Sequence, residues 1–137
     1  MIESLLTEDE TIILLIQYLK SKAWVINSYC LGQQRGCDIN AVKDQQQLLI
    51  EVKGARAGDN AKNRKREFFD ANQIKTHFGK ALVKVMEDKI IYPDAKFGIA
   101  HPDEIQIRLI LQPLIKFLKP LSIMHFWVAK DGTVIID

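Results

Sequence analysis

A mixed β-sheet covered by helices is the α/β architecture this sequence predicts. Three observations carry it. Segments with helical apolar spacing alternate with β-rich runs in the order α-β-β-β-α-β-α-β-β. The run Leu48-Leu-Ile-Glu-Val-Lys53 is apolar on both faces except at Glu51 and Lys53, as in a strand covered from both sides. The length of 137 residues fits one domain spanning 1–137, with a core large enough to need no disulfide or structural metal.

The elements follow in chain order. Residues 5–20 form a first helix, with Thr7 able to cap it and Glu10 at the capping-box position three residues on. Ile12, Leu15, Ile16 and Leu19 share its apolar face. Residues 24–30 are rich in β-formers and read as a strand. A polar loop between Gly32 and Gly36 leads to a short strand, 39–42. A turn over 43–47 joins it to the strand 48–53, and a loop follows over 54–70. Residues 71–88 form a second helix with Ile74, Phe78, Leu82 and Val85 on one face. Residues 96–100 form a strand that ends at His101-Pro102. Asp103 caps a largely helical stretch, 103–118, which Pro113 is expected to break in two. The strand 123–129 and the Asp131-Gly132 turn signal close the chain with a hairpin to 133–136.

Composition removes several classes. Hydrophobic residues make up 47% and charged residues 26%, values of an ordinary globular domain. The longest uncharged apolar stretches, 11–19 and 121–129, fall well short of the roughly twenty residues of a membrane span. Acidic residues Glu3, Glu8, Asp9 and Glu10 precede the first basic residue, Lys20, which is the reverse of a signal peptide. A cytoplasmic protein is expected. Cys30 and Cys37 read as free thiols serving as small apolar filler, because no histidine stands at zinc-finger spacing from them. Trp24, Phe126 and Trp127 lie in predicted strands and read as core.

The net charge of +2 is unevenly placed. Between residues 52 and 66 stand Lys53, Arg56, Lys62, Arg64, Lys65 and Arg66 against one acid, Asp59, so this stretch carries +5 and the remainder −3. A solvated loop is one reading of residues 54–70. Contact with a nucleic-acid backbone through Arg56, Lys62, Arg64, Lys65 and Arg66 is the other, because clustered cations release counterions from phosphates.

The segment with the most chemistry in it is Gly36-Cys-Asp38-Ile followed by Glu51-Val-Lys53-Gly54. Alternate strand residues share a face, so Glu51 and Lys53 point one way and Ile50 and Val52 the other. A hairpin centred between Asp44 and Gln45 sets Asp38 opposite Glu51, with Cβ atoms about 5 Å apart. A slip of one residue would separate them. Opposed carboxylates in a half-buried sheet repel, and a divalent cation removes the conflict. Mg²⁺ binds through one or two carboxylates plus water and phosphate oxygens. Lys53 beside it could orient a water or stabilise charge on a phosphate.

These residues resemble the PD-(D/E)xK nuclease superfamily, the restriction-endonuclease-like fold shared by Holliday-junction resolvases and Mrr-type nucleases. The superfamily core, αβββαβ, matches the order predicted over residues 5–100. The resemblance implies Mg²⁺- or Mn²⁺-dependent phosphodiester hydrolysis, with Asp38 and Glu51 as metal ligands and Lys53 as the catalytic lysine. One departure is Cys37, where the signature has proline. Many members add an acid from the first helix. Helical phase favours Glu8 as catalytic acid and third metal ligand, and dipole complement at a helix start is its other reading. Glu10 is the second candidate and suits a cap. The resemblance also suggests a polar residue on the second helix near the metal, for which Gln73, and then His77 four residues on, are the candidates.

The expected function is therefore a Mg²⁺-dependent nuclease acting on DNA, with no small-molecule cofactor and a homodimer plausible for cutting both strands. The alternative is a non-catalytic nucleic-acid-binding or regulatory module on the same fold.

Overall fold

The computed structural model describes residues 5–32, 34, 36–58 and 68–137. The elements are α1 (Glu8–Ser21), β1 (Val25–Tyr29), β2 (Ile39–Lys43), β3 (Gln46–Val52), α2 (Ala71–Ile91), β4 (Lys96–Pro102), α3 (Ile105–Ile115), a 3₁₀ turn (Lys116–Leu121), β5 (Ile123–Val128) and β6 (Val134–Ile136). The strands form one six-stranded sheet in sequence order. β1, β2 and β3 make an antiparallel meander, β3, β4 and β5 run parallel, and β6 returns antiparallel to β5. This is the mixed, helix-flanked sheet of a restriction-endonuclease-like α/β fold.

The helices sort to the two faces by their connections. α2 and α3 each cross between parallel neighbours and lie on one face. There Ile74, Phe78, Val85, Ile107 and Leu111 meet Leu49, Phe97, Ile99 and Trp127. α1 covers the other face, where Ile12, Leu15, Ile16 and Leu19 meet Ile39, Ile50, Val52 and Phe126. Each fully buried aliphatic side chain contributes about 1.5–3 kcal/mol. β3 alternates between the two clusters, so Glu51 falls on the α2 face.

Several boundaries differ from the sequence reading; β3 spans Gln46–Val52 rather than 48–53, and α2 runs on to Ile91. The first helix starts at Glu8 because the Thr7–Glu10 capping box closes there. Leu5 and Leu6 run extended, with Ala55 N donating to Leu6 O at 2.8 Å. β4 continues through His101 and Pro102. Glu104, not Asp103, caps α3, accepting from Gln106 N and Ile107 N, while Asp103 takes two hydrogen bonds from Arg108. Pro113 lies inside α3 without breaking it. A proline there costs one helical hydrogen bond, and the residue one turn back, Leu109, is 70% exposed. Among the described residues no helix is long and apolar enough to cross a membrane.

Candidate active site

The β2–β3 hairpin sets the register. Asp44 and Gln45 both adopt positive φ, 52° and 66°, and form a two-residue loop closed by the Lys43–Gln46 pair. Asn40 then faces Leu49 and Ile39 faces Ile50. One step further on, Asp38 stands across from Glu51. Two hydrogen bonds hold Asp38 there. Its carbonyl accepts from Cys30 N at 3.0 Å, and its Oδ2 accepts from Val52 N at 2.7 Å. The carboxylate is thus fastened to the end of β3 beside Glu51.

The start of α1 is brought to the same place by Gly54. A Cβ at residue 54 would lie 2.3 Å from Glu8 N and 2.7 Å from the Thr7 carbonyl carbon, so only glycine permits this approach. Thr7 also bridges to Arg56. Glu8 is thereby brought within reach of the charges of Asp38 and Lys53. Glu10 is engaged elsewhere, in the capping box and 3.7 Å from Arg56. Gly54→Ala is expected to push α1 away and cost about 1–3 kcal/mol. Urea unfolding checks the loss, and a fall in cleavage beyond the unfolded fraction checks the displacement of Glu8.

Asp38 acts on both Glu51 and Glu8, and the three carboxyls carry its electrostatic signature. Burial, then the Asp38 charge, pushes Glu51 up to about 8. Glu8 is pushed up to about 7 by burial and then Asp38, against the opposing pull of Lys53. Asp38 is also raised by burial, although the Val52 amide and the lysines oppose the shift. Glu51 Oε1 is buried without a hydrogen-bond partner among the described residues. An unpartnered, crowded carboxylate oxygen of this kind suits a hard divalent cation. Among the described residues, however, no three His, Cys, Asp or Glu side chains cluster closely enough to hold a metal ion by themselves. Asp38 and Glu51 supply two oxygen donors, and water or phosphate oxygens would complete the shell.

Lys53 follows β3, its amide donating to Ala100 O at 2.9 Å. Its charge is felt by Glu8, Asp38, His77 and His101. His77 rests edge-on against Phe69, ring centroids 4.4 Å apart, and is shifted down by burial and then by Lys53 and Lys80. Gln73 has a different occupation. Its side-chain oxygen accepts from Asp70 N and its backbone N–H donates to Asp70 Oδ1, which makes it the capping-box partner of α2. Arg56 is turned to its own chain, donating to Leu5 O at 3.0 Å. Lys62, Arg64, Lys65 and Arg66 lie outside the described residues.

Sequence reasoning set Lys80 and Lys84 near the Gln73–His77 stripe of the second helix without giving either a role, and it passed over Asp88. The ammonium–carboxylate pair of Lys84 and Asp88 lies one turn apart on α2, next to Glu51 and Cys37. The signal was present: Asp88 interrupts the apolar stripe that runs through Ile74, Phe78, Ala81 and Val85. The buried His101–His125 pair, Nδ1 to Nε2 at 2.9 Å, was also missed, because it forms only when β4 and β5 are paired.

No protein-family model and no curated protein matches the chain. Solved structures do. An fdxN element excision controlling factor protein from Anabaena variabilis matches with a TM-score of 0.59 at 14% identity, over 93% of this chain and 96% of that one. An XisH family protein from Nostoc punctiforme matches with a TM-score of 0.59 at 13% identity, over 93% of this chain and 97% of that one. At such identities the likeness is one of fold, and it extends over nearly the whole of each chain.

Proposed function

We propose that the chain is a Mg²⁺-dependent nuclease of the PD-(D/E)xK kind, hydrolysing phosphodiester bonds in DNA. One observation carries the reading: Asp38 and Glu51 are held together, largely buried, with Lys53 and Glu8 beside them. Burying Glu51 opposite Asp38 costs stability, as expected of a site kept for chemistry. Asp38 and Glu51 would hold the cation, with water or phosphate oxygens completing its shell, and its chemistry there would be to polarise the phosphate and lower the pKa of a bound water. Lys53 orients the attacking water and balances the charge that grows on the phosphate. Gly54 keeps the helix start close enough for Glu8 to take part. Lys62, Arg64, Lys65 and Arg66 hold the phosphate backbone and give position without sequence readout. Two copies of the chain, each with one site, would cut both strands of a duplex.

The neighbour described as an element excision controlling factor favours DNA as the nucleic acid. The same description favours a second reading, a DNA-binding regulator that does not cut. Cleavage of plasmid, linear duplex, single-stranded and four-way-junction DNA separates the two. The nuclease nicks or cuts at least one substrate with Mg²⁺ or Mn²⁺ and none in EDTA. Salt-dependent binding with no cut on any substrate establishes the regulator.

A further inference from the structure

Asp88 is 5% exposed at the last turns of α2, in line with that helix's core-facing residues. An acid there is doubly costly, since it is desolvated and sits near the negative end of the helix dipole. Its hydrogen bond comes from the Lys84 ammonium, one turn earlier. A half-buried ion pair is a poor stabiliser beside an apolar pair of the same volume, so α2 gains little from it. Its position is more informative. The Lys84 charge is felt by Glu51, Asp38 and Cys37. The Lys84 side chain is 37% exposed, whereas the Asp88 side chain is only 6% exposed. The lysine is therefore anchored below and open to solvent above, at the rim of the carboxylate pair. Lys53, at the end of β3, acts on Asp38, while Lys84, on the helix that covers the Glu51 face of β3, acts on both carboxyls.

We propose that Lys84, held by Asp88, is a second substrate-binding cation of this site, contacting a non-bridging phosphate oxygen of DNA from the α2 wall. The inference rests on the nuclease reading above. Charge sign separates it from the other role available to Lys84, which is to orient Glu51 toward the metal. A cation close to the metal opposes metal binding, while a cation facing phosphate favours substrate. A lysine serving the substrate should therefore be dispensable for metal affinity, whereas one that orients Glu51 should not, because partners that hold ligating carboxylates are worth about 10–100-fold in metal affinity.

The test compares wild type with Lys84→Met, Lys84→Arg and Asp88→Asn, each checked for folding by circular dichroism. Mn²⁺ binding is measured calorimetrically without DNA. Duplex binding is followed by fluorescence anisotropy in EDTA across a salt series, and cleavage is measured separately. Lys84→Met is expected to bind Mn²⁺ as tightly as wild type or more tightly. Its slope of log affinity against log salt should fall by about 0.9, and its cleavage rate by about 100-fold. Lys84→Arg should restore the salt slope and part of the rate, and Asp88→Asn should lie between. Lys84→Gln takes the place of Lys84→Met if the latter does not fold. An unchanged salt slope overturns the proposal, and weaker Mn²⁺ binding transfers Lys84 to the support of Glu51. A wild type that never cuts removes the nuclease reading, and the salt slope then decides the Lys84 contact alone.

Discussion

Glu51→Gln is expected to abolish Mg²⁺-dependent cleavage, by on the order of 10³-fold, and at the same time to stabilise the metal-free protein at pH 7. The two effects have one cause. Glu51 holds its proton up to about pH 8 because it is buried and faces Asp38. An acid whose folded pKa is raised contributes stability that is complete below its unfolded pKa, near 4.5. That contribution is lost progressively as pH rises through the folded value. At pH 7 much of it is gone, a deficit of order 1–3 kcal/mol that a neutral amide does not incur. The expected gain is about 3–6 °C in melting temperature for each kcal/mol recovered in a domain of this size. Scanning calorimetry in EDTA reads this directly. Mg²⁺ should raise the melting temperature of wild type and leave Glu51→Gln unmoved. A variant that melts lower than wild type in EDTA would show the carboxylate cluster to be stabilising and remove the argument for a site. Asp38→Ala should behave in the opposite way, losing about 1–3 kcal/mol, because it strips the Val52 amide of its 2.7 Å acceptor.

The second large effect concerns acid stability, where two buried groups oppose one another. His101 and His125 lie fully in the core between β4 and β5, each 1% exposed. Burial lowers both, His101 far below its ordinary value and His125 to about 3. A base with a lowered folded pKa supports the fold above its unfolded value of 6.5 and loses that support as pH falls toward the folded value. Each ring should therefore cost about 1.4 kcal/mol per pH unit between roughly pH 6.5 and 4. Glu8 and Glu51 act in the reverse sense over the same window, since the folded chain keeps protons there that the unfolded chain has shed. Two slopes of similar size and opposite sign nearly cancel, and wild-type stability should be almost flat from pH 6.5 to 4.5. Variants expose the two halves. Glu51→Gln should lose stability steeply on acidification. The double variant His101→Leu, His125→Leu should instead gain stability as pH falls. Both rings are replaced together because either one alone would leave a buried nitrogen unpaired. Urea unfolding at half-unit pH steps separates these profiles, and parallel curves for all three proteins would refute the compensation.

Much of the fold was legible along the chain because its causes are local. Thr7 and Glu10 are three residues apart, and they closed the capping box that the spacing announced. The apolar stripe of α1 is a matter of period, and all four of its residues reach the core. The Asp38–Glu51 opposition was legible for the same reason, since a two-residue turn at Asp44-Gln45 sets the pairing arithmetically. Where the reading missed, a contact from outside the segment decided. Pro113 was expected to break its helix, but α3 carries it on an exposed stretch and runs on to Ile115 before the 3₁₀ turn. Asp103 was expected to cap α3, but Arg108 offered it two hydrogen bonds and Glu104 took the cap. Gln73 was a site candidate through the resemblance, and in the structure its side chain closes the capping box of α2.

What the sequence determined by itself is the order of elements, the hairpin register and the presence of one carboxylate pair with a lysine, all short-range consequences of period, capping and turn chemistry. What the tertiary structure alone decided is the company that pair keeps. Gly54 admits Glu8 by allowing two backbones to touch, the crossing of α2 lays Lys84 and Asp88 over Glu51, and the pairing of β4 with β5 buries two histidines side by side. These contacts join residues far apart in the chain, and spacing along one strand carries no information about which element will be laid across it.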